Sequence, residues 1–99
     1  MADWFVDHKN GFFYFLMNFG SIVIYDFRRK IQTFVKVEEK WYISLSKEDR
    51  NFTAITLSFN LKYLAISGVV KFKEKKTNNI FLYKIDLDPR RDVRLALVS

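Results

Sequence analysis

The sequence predicts an all-β chain of antiparallel sheets, and three observations carry that prediction. Runs of β-branched and aromatic residues recur about every ten residues, separated by short polar clusters, which is the spacing of a sandwich or a propeller blade. Apolar residues make up 49% of the chain and aromatic ones 18%, with 11 Phe, 5 Tyr and 2 Trp, so much ring surface has to be buried against something. Within the runs, polarity either alternates or is apolar at both parities, the marks of half-exposed and doubly buried strands.

Taken in order, strands are expected over residues 12–17, 21–27, 31–37, 41–45, 52–58, 63–72 and 80–87, with 93–98 forming an eighth strand or a short helix. In 22–27, Ile22 and Ile24 oppose Val23, Tyr25 and Phe27, so both faces are apolar. Residues 80–85 behave the same way until Lys84. By contrast, 34–37 and 69–73 alternate as outer strands do. This mixture implies sheets packed between other sheets. Three Gly and one Pro are few, so the turns rely on Asn, Asp, Ser and Lys, and several loops are expected to exceed two residues. Asn18-Phe19-Gly20 and Phe59-Asn60-Leu61-Lys62 read as hairpin connections. Residues 73–79 read as a charged, solvated loop.

Ninety-nine residues allow one domain, burying roughly 60 to 68% of the surface that the unfolded chain exposes. The absence of Cys excludes disulfides and thiolate chemistry and fits a reducing, cytoplasmic setting. The N-terminal residues lack the order of a secretory signal, and the longest apolar run, 12–17, is about a third of a membrane span, so a soluble chain is expected. Seventeen Lys and Arg against 11 Asp and Glu give a charge of +6, which favours acidic partners: nucleic acid, anionic lipid or acidic protein tails.

Nothing in the sequence assembles a reactive centre. His8 is the single histidine, which leaves no metal pair and no Ser-His-Asp set, and it is expected on the surface near the chain's start. Asp86, Asp88, Glu48 and Asp49 lack the glycine-rich frame of a calcium loop. The glycines at 11, 20 and 68 are too scattered to cradle phosphate, and Ser44, Ser46 and Ser58 have no base beside them. No catalytic, cofactor or metal residue is therefore assigned, and the chain reads as a binder rather than an enzyme. The basic clusters Arg28, Arg29, Lys30 and Lys73, Lys75, Lys76 are the candidate partner-binding residues, with Arg90, Arg91 and Arg94 a third cluster. A small basic β domain binding RNA or single strands is the rival reading, with aromatics such as Trp4, Phe12, Phe13, Tyr14, Trp41 or Tyr42 stacking on bases. The expectation held here is that the aromatics fill a β core while the basic residues decorate its loops. Lys71, Lys73 and Lys84 also fall where charge keeps an exposed sheet edge from pairing.

An internal repeat adds to this. Gly20-Ser21-Ile22-Val23-Ile24-Tyr25-Asp26 and Asn78-Asn79-Ile80-Phe81-Leu82-Tyr83-Lys84-Ile85-Asp86 share the order small or polar, then Ile-x-(Ile/Leu)-Tyr, then Asp. Residues 54–68, with Ser58 closing one run and Tyr63-Leu64-Ala65-Ile66-Ser67-Gly68 opening the next, resemble the inner hairpin of a WD-repeat blade. With Gln32-Thr33-Phe34-Val35 and Glu38-Glu39-Lys40 between them, residues 10–87 are similar to the N-terminal blades of WD-repeat proteins of cilia and flagella. Phe59 stands where that hairpin commonly has Pro, and Tyr25-Asp26 and Tyr83-Lys84 replace the Trp-Asp dipeptide. The resemblance implies about two blades of an incomplete WD40-like propeller, residues 10–45 giving the outer strands of the first and 52–99 the second. It also implies a scaffold for other proteins in an axonemal or cytoskeletal setting, with acidic tubulin tails as possible contacts and a need for further blades or self-association.

Overall fold

The computed structural model describes residues 1–35 and 49–98. The chain is all-β, with two four-stranded antiparallel sheets. The first holds β1 (Asp3–Asp7), β2 (Phe12–Leu16), β3 (Ile22–Asp26) and β4 (Ile31–Val35), side by side in chain order. The second holds β5 (Arg50–Leu57), β6 (Tyr63–Phe72), β7 (Lys75–Leu87) and β8 (Val93–Leu97), again in chain order. Each sheet is a plain meander, which antiparallel strands joined by short turns form at least entropic cost.

Alternation decides what each face buries. Phe12, Tyr14, Leu16, Ile22 and Ile24 of the first sheet meet Phe52, Ile55, Leu57, Leu64, Ile66, Val70, Phe81 and Tyr83 of the second in one core between the sheets. The sheets lie in matching order, β1 against β5 and β4 against β8. Edge backbone groups are tied across the gap. The Phe52 amide donates to the Asn18 carbonyl at 2.7 Å, and the Ile55 amide to the Asp3 carboxylate at 2.9 Å. Gly68 is required by a close approach: a Cβ there would run into the Asn51 carbonyl oxygen and Phe52 Cα, where a bulge between Phe52 and Ala54 brings β5 onto β6.

Several expectations change. β1 was not anticipated, and with it Asp3 to Asp7 become part of a sheet rather than a loose end; His8 follows in an exposed turn. Residues 93–98 resolve in favour of a strand, β8. Lys75 to Asn79 do not form a loop: they extend β7, and the connection shrinks to Lys73 and Glu74, with φ of 50° and 65°. Two successive positive φ values make a type I′ turn, whose twist matches the flanking strands and lets pairing run to Phe72 and Lys75. Ile80 faces outward at 70% exposure, so the 80–85 run buries one face instead of two. The strand expected at 41–45 lies outside the described residues.

Candidate functional site

The meander topology sorts the turns to two ends of the molecule. Residues 8–11, 27–30, 58–62 and 88–92 turn at one end, and residues 17–21 and 73–74 turn at the other. Arg28, Arg29 and Lys30 are thereby separated from Lys73, Lys75 and Lys76 by the length of the strands. The end that carries Arg28 to Lys30 also receives Lys9, Lys62, Arg90 and Arg91.

Within that end, Asp26 organises a buried ion cluster. The residue is 2% exposed, and its side chain accepts hydrogen bonds from the Arg28 and Arg29 amides at 2.9 and 3.2 Å. It also accepts from Arg29 Nε at 2.8 Å, and from Arg91 Nε and Nη2 at 2.9 and 2.8 Å. The Arg91 guanidinium, foremost, and that of Arg29 hold the Asp26 carboxyl well below the usual carboxylate range, against the opposing effect of burial. Arg91 donates further to the Asn10 carbonyl at 2.6 Å and lies 4.7 Å over the Phe12 ring. Arg29 donates to the Arg90 and Arg91 carbonyls at 2.9 and 3.0 Å. These two arginines therefore latch β8's turn to the first sheet, and their donors are spent on the fold. Arg29 is thus engaged within the fold, while Arg28, which donates from Nη2 to the Lys9 carbonyl at 3.0 Å, and Lys30 are exposed. Beside the latch, Asp7 is buried and holds its own turn by accepting from the Asn10 amide and side chain at 3.0 and 2.8 Å. Burial, with Asp7 nearby, pushes the Tyr14 phenol above its ordinary range.

At the opposite end, Lys73 lies 5.4 Å over the Phe72 ring, and Lys71 pairs with Glu74 at 3.6 Å. Lys75 and Lys76 are exposed and form no ion pair among the described residues.

The largest departure from expectation is on the outer faces. Trp4, Phe13, Phe15, Tyr25, Phe27 and Phe34 do not enter the core; they cover the outside of the first sheet. Phe13 stacks on Phe15 at 5.4 Å and meets the edge of Phe27 at 4.6 Å, while Trp4 and Phe34 are 55% and 68% exposed. No charged side chain of β1 to β4 points to this face. The second sheet's outer face differs: Ala54, Thr56, Ala65, Ser67 and Ile80 line a shallow hollow of about 170 Å³, and Lys71, Lys76, Lys84, Arg94 and Asp86 share that face farther along the strands.

The internal repeat relates these faces. It places Val23 and Tyr25 of β3 at the positions of Phe81 and Tyr83 of β7, each strand third in its sheet. Through the pairing registers, Phe13 and Phe15 then correspond to Leu64 and Ile66. Leu64, Ile66, Phe81 and Tyr83 are all in the core. The outer face of the first sheet is thus the counterpart of the second sheet's inner face. One sheet follows the other as in a stack with a direction, front to back. No family model, curated protein or solved structure matches the chain. Among the described residues no helix is long and apolar enough to cross a membrane, and no three His, Cys, Asp or Glu side chains gather.

Proposed function

We propose that the chain is a non-enzymatic protein-interaction scaffold, a two-blade piece of a WD-repeat-like β-propeller that works in a cytoplasmic, cytoskeletal or ciliary setting. The observation that carries this reading is the directional stacking of two four-stranded meanders whose front and back faces correspond through the repeat. Propeller blades repeat in that way around an axis, and their turns gather at the two ends of the ring to meet partners. The end bearing Lys9, Arg28, Lys30, Lys62 and Arg90 then faces an acidic protein segment, with binding driven by long-range charge attraction. Aromatic platforms that stack nucleic-acid bases run alongside a basic groove. The aromatic face here carries no Lys or Arg on its strands, which favours sheet packing over nucleic acid.

The test is fluorescence anisotropy with a labelled polyglutamate peptide, read at two salt concentrations. Replacing Arg28, Lys30 and Arg90 together by Ala is expected to weaken binding and flatten its salt dependence. The Lys73, Lys75, Lys76 triple variant, altered at the other end, should lose much less. Equal losses from both triples would remove the assignment of the binding end, and no binding by the unaltered chain would remove the acidic partner.

A further inference from the structure

We infer that the aromatic face of the first sheet is covered by the outer face of the second sheet of another copy of this chain, so that copies associate front to back. This rests on the propeller reading and adds the identity of the neighbour. Three features of the faces point to it. The repeat makes the first sheet's outer residues the counterparts of Leu64, Ile66, Phe81 and Tyr83, which already pack against a sheet inside the molecule. By the same correspondence Ala65 and Ser67 stand at the positions of Tyr14 and Leu16, so the second sheet's outer face is the smaller-featured equivalent of the surface that Phe81 and Tyr83 meet. A further copy placed front to back would reproduce an interface that the fold has built once.

Shape and charge agree on the direction. Bulky rings on one face meet a hollow of about 170 Å³ between small residues on the other. Lys76 and Lys84, on the same face as that hollow, would come onto ring faces, an attractive contact. Two second-sheet faces placed against each other would bring together Lys71, Lys76, Lys84 and Arg94 with Asp86 alone to offset them, which is repulsive. A front-to-back contact uses a different patch on each partner, so it either closes into a ring or continues. With two sheets per copy and propellers of 4–8 blades, closure needs about two to four copies. The shared face is small: strand rise and spacing give about 16 by 19 Å for four five-residue strands, so association is weak and rises with concentration.

Sedimentation velocity on the whole chain, up to roughly 100 µM, reads this directly. The unaltered chain should form a discrete species of two to four copies. A double variant Trp4→Glu with Phe34→Glu, spoiling the front, and a variant Thr56→Arg, spoiling the back, should each be monomeric, with far-UV circular dichroism showing that both keep their strands. Mixed in equal amounts, the two should form a one-to-one dimer, because one intact front still meets one intact back. A Thr56→Arg chain that assembles like the unaltered one overturns the front-to-back contact, as does a mixture that stays monomeric. A monomeric unaltered chain also overturns it, and its melt then separates the two readings. A sharp cooperative transition removes the propeller as well, whereas a broad one leaves the propeller reading with blades supplied by a different protein.

Discussion

Asp26→Asn is the most informative single change to the fold. The substitution keeps the size of the side chain and one accepting oxygen, but it turns the other oxygen into an amide that confronts guanidinium donors at 2.8 to 2.9 Å. Two charge-assisted hydrogen bonds are lost, each worth about 1.5 to 3 kcal/mol. The sum, about 3 kcal/mol or more, agrees with the cost of breaking a buried ion pair from one side. For a chain of this size each kcal/mol moves Tm by roughly 4 to 8 °C, so a fall of at least about 12 °C is expected. Thermal melts followed by circular dichroism, with Lys30→Ala as a surface control, give the comparison. A fall below about 4 °C, which corresponds to 1 kcal/mol or less, would refute the view that this cluster joins the sheets.

The same carboxylate sets an acid limb. Its folded pKa lies below the ordinary 3.8, so the unfolded chain takes up the proton first as pH falls; the contribution is whole above about pH 5 and is lost progressively below. Urea midpoints measured from neutral pH down to about pH 2 should fall less steeply for Asp26→Asn than for the unaltered chain. Gly68→Ala places a methyl against the β5 backbone at the bulge and should cost at least about 1 to 3 kcal/mol in urea denaturation; a neutral result would mean that β5 can retreat freely. Lys73→Asn with Glu74→Gly supplies the residues that a type I′ turn prefers and should raise stability by about 1 kcal/mol, unless the turn takes another form in solution.

How far the sequence could be read depended on the range over which each feature is determined. Strands β2 to β7 were legible because β-branched and aromatic runs with period two are local signals, and β3 and β7 announced themselves further through their repeat. β1 was hidden: Asp3 and Asp7 bracket Trp4, Phe5 and Val6, and acids at both ends read as a solvated terminus. Their partners, the Ile55 amide and the Asn10 turn, appear only in three dimensions. The I′ turn was masked by the charges of Lys73 and Glu74, since Asn and Gly are the residues that advertise positive φ. The latch was out of reach for a different reason. Asp26 and Arg91 lie 65 residues apart, and Arg90-Arg91 looked like any basic cluster. The fate of the aromatics turned on parity. Phe13 and Phe15 alternate with Phe12, Tyr14 and Leu16, so β2 had two apolar faces, and one fold of two sheets can cover only one of them.

The long pairing of β6 with β7 bears on the order of assembly. Strands of 10 and 13 residues joined by a two-residue turn overhang both neighbours, and their contacts are close in sequence. Such a hairpin closes a short loop and can form within microseconds, whereas the contact of Asp26 with Arg91 must wait for both sheets. Changes in the hairpin should therefore act chiefly on refolding, and changes at the latch should chiefly hasten unfolding, a division that stopped-flow chevrons of the Lys73→Asn, Glu74→Gly double variant and the Asp26→Asn chain would display. The hairpin is then the template on which the second sheet grows, and the first sheet docks onto a surface already built.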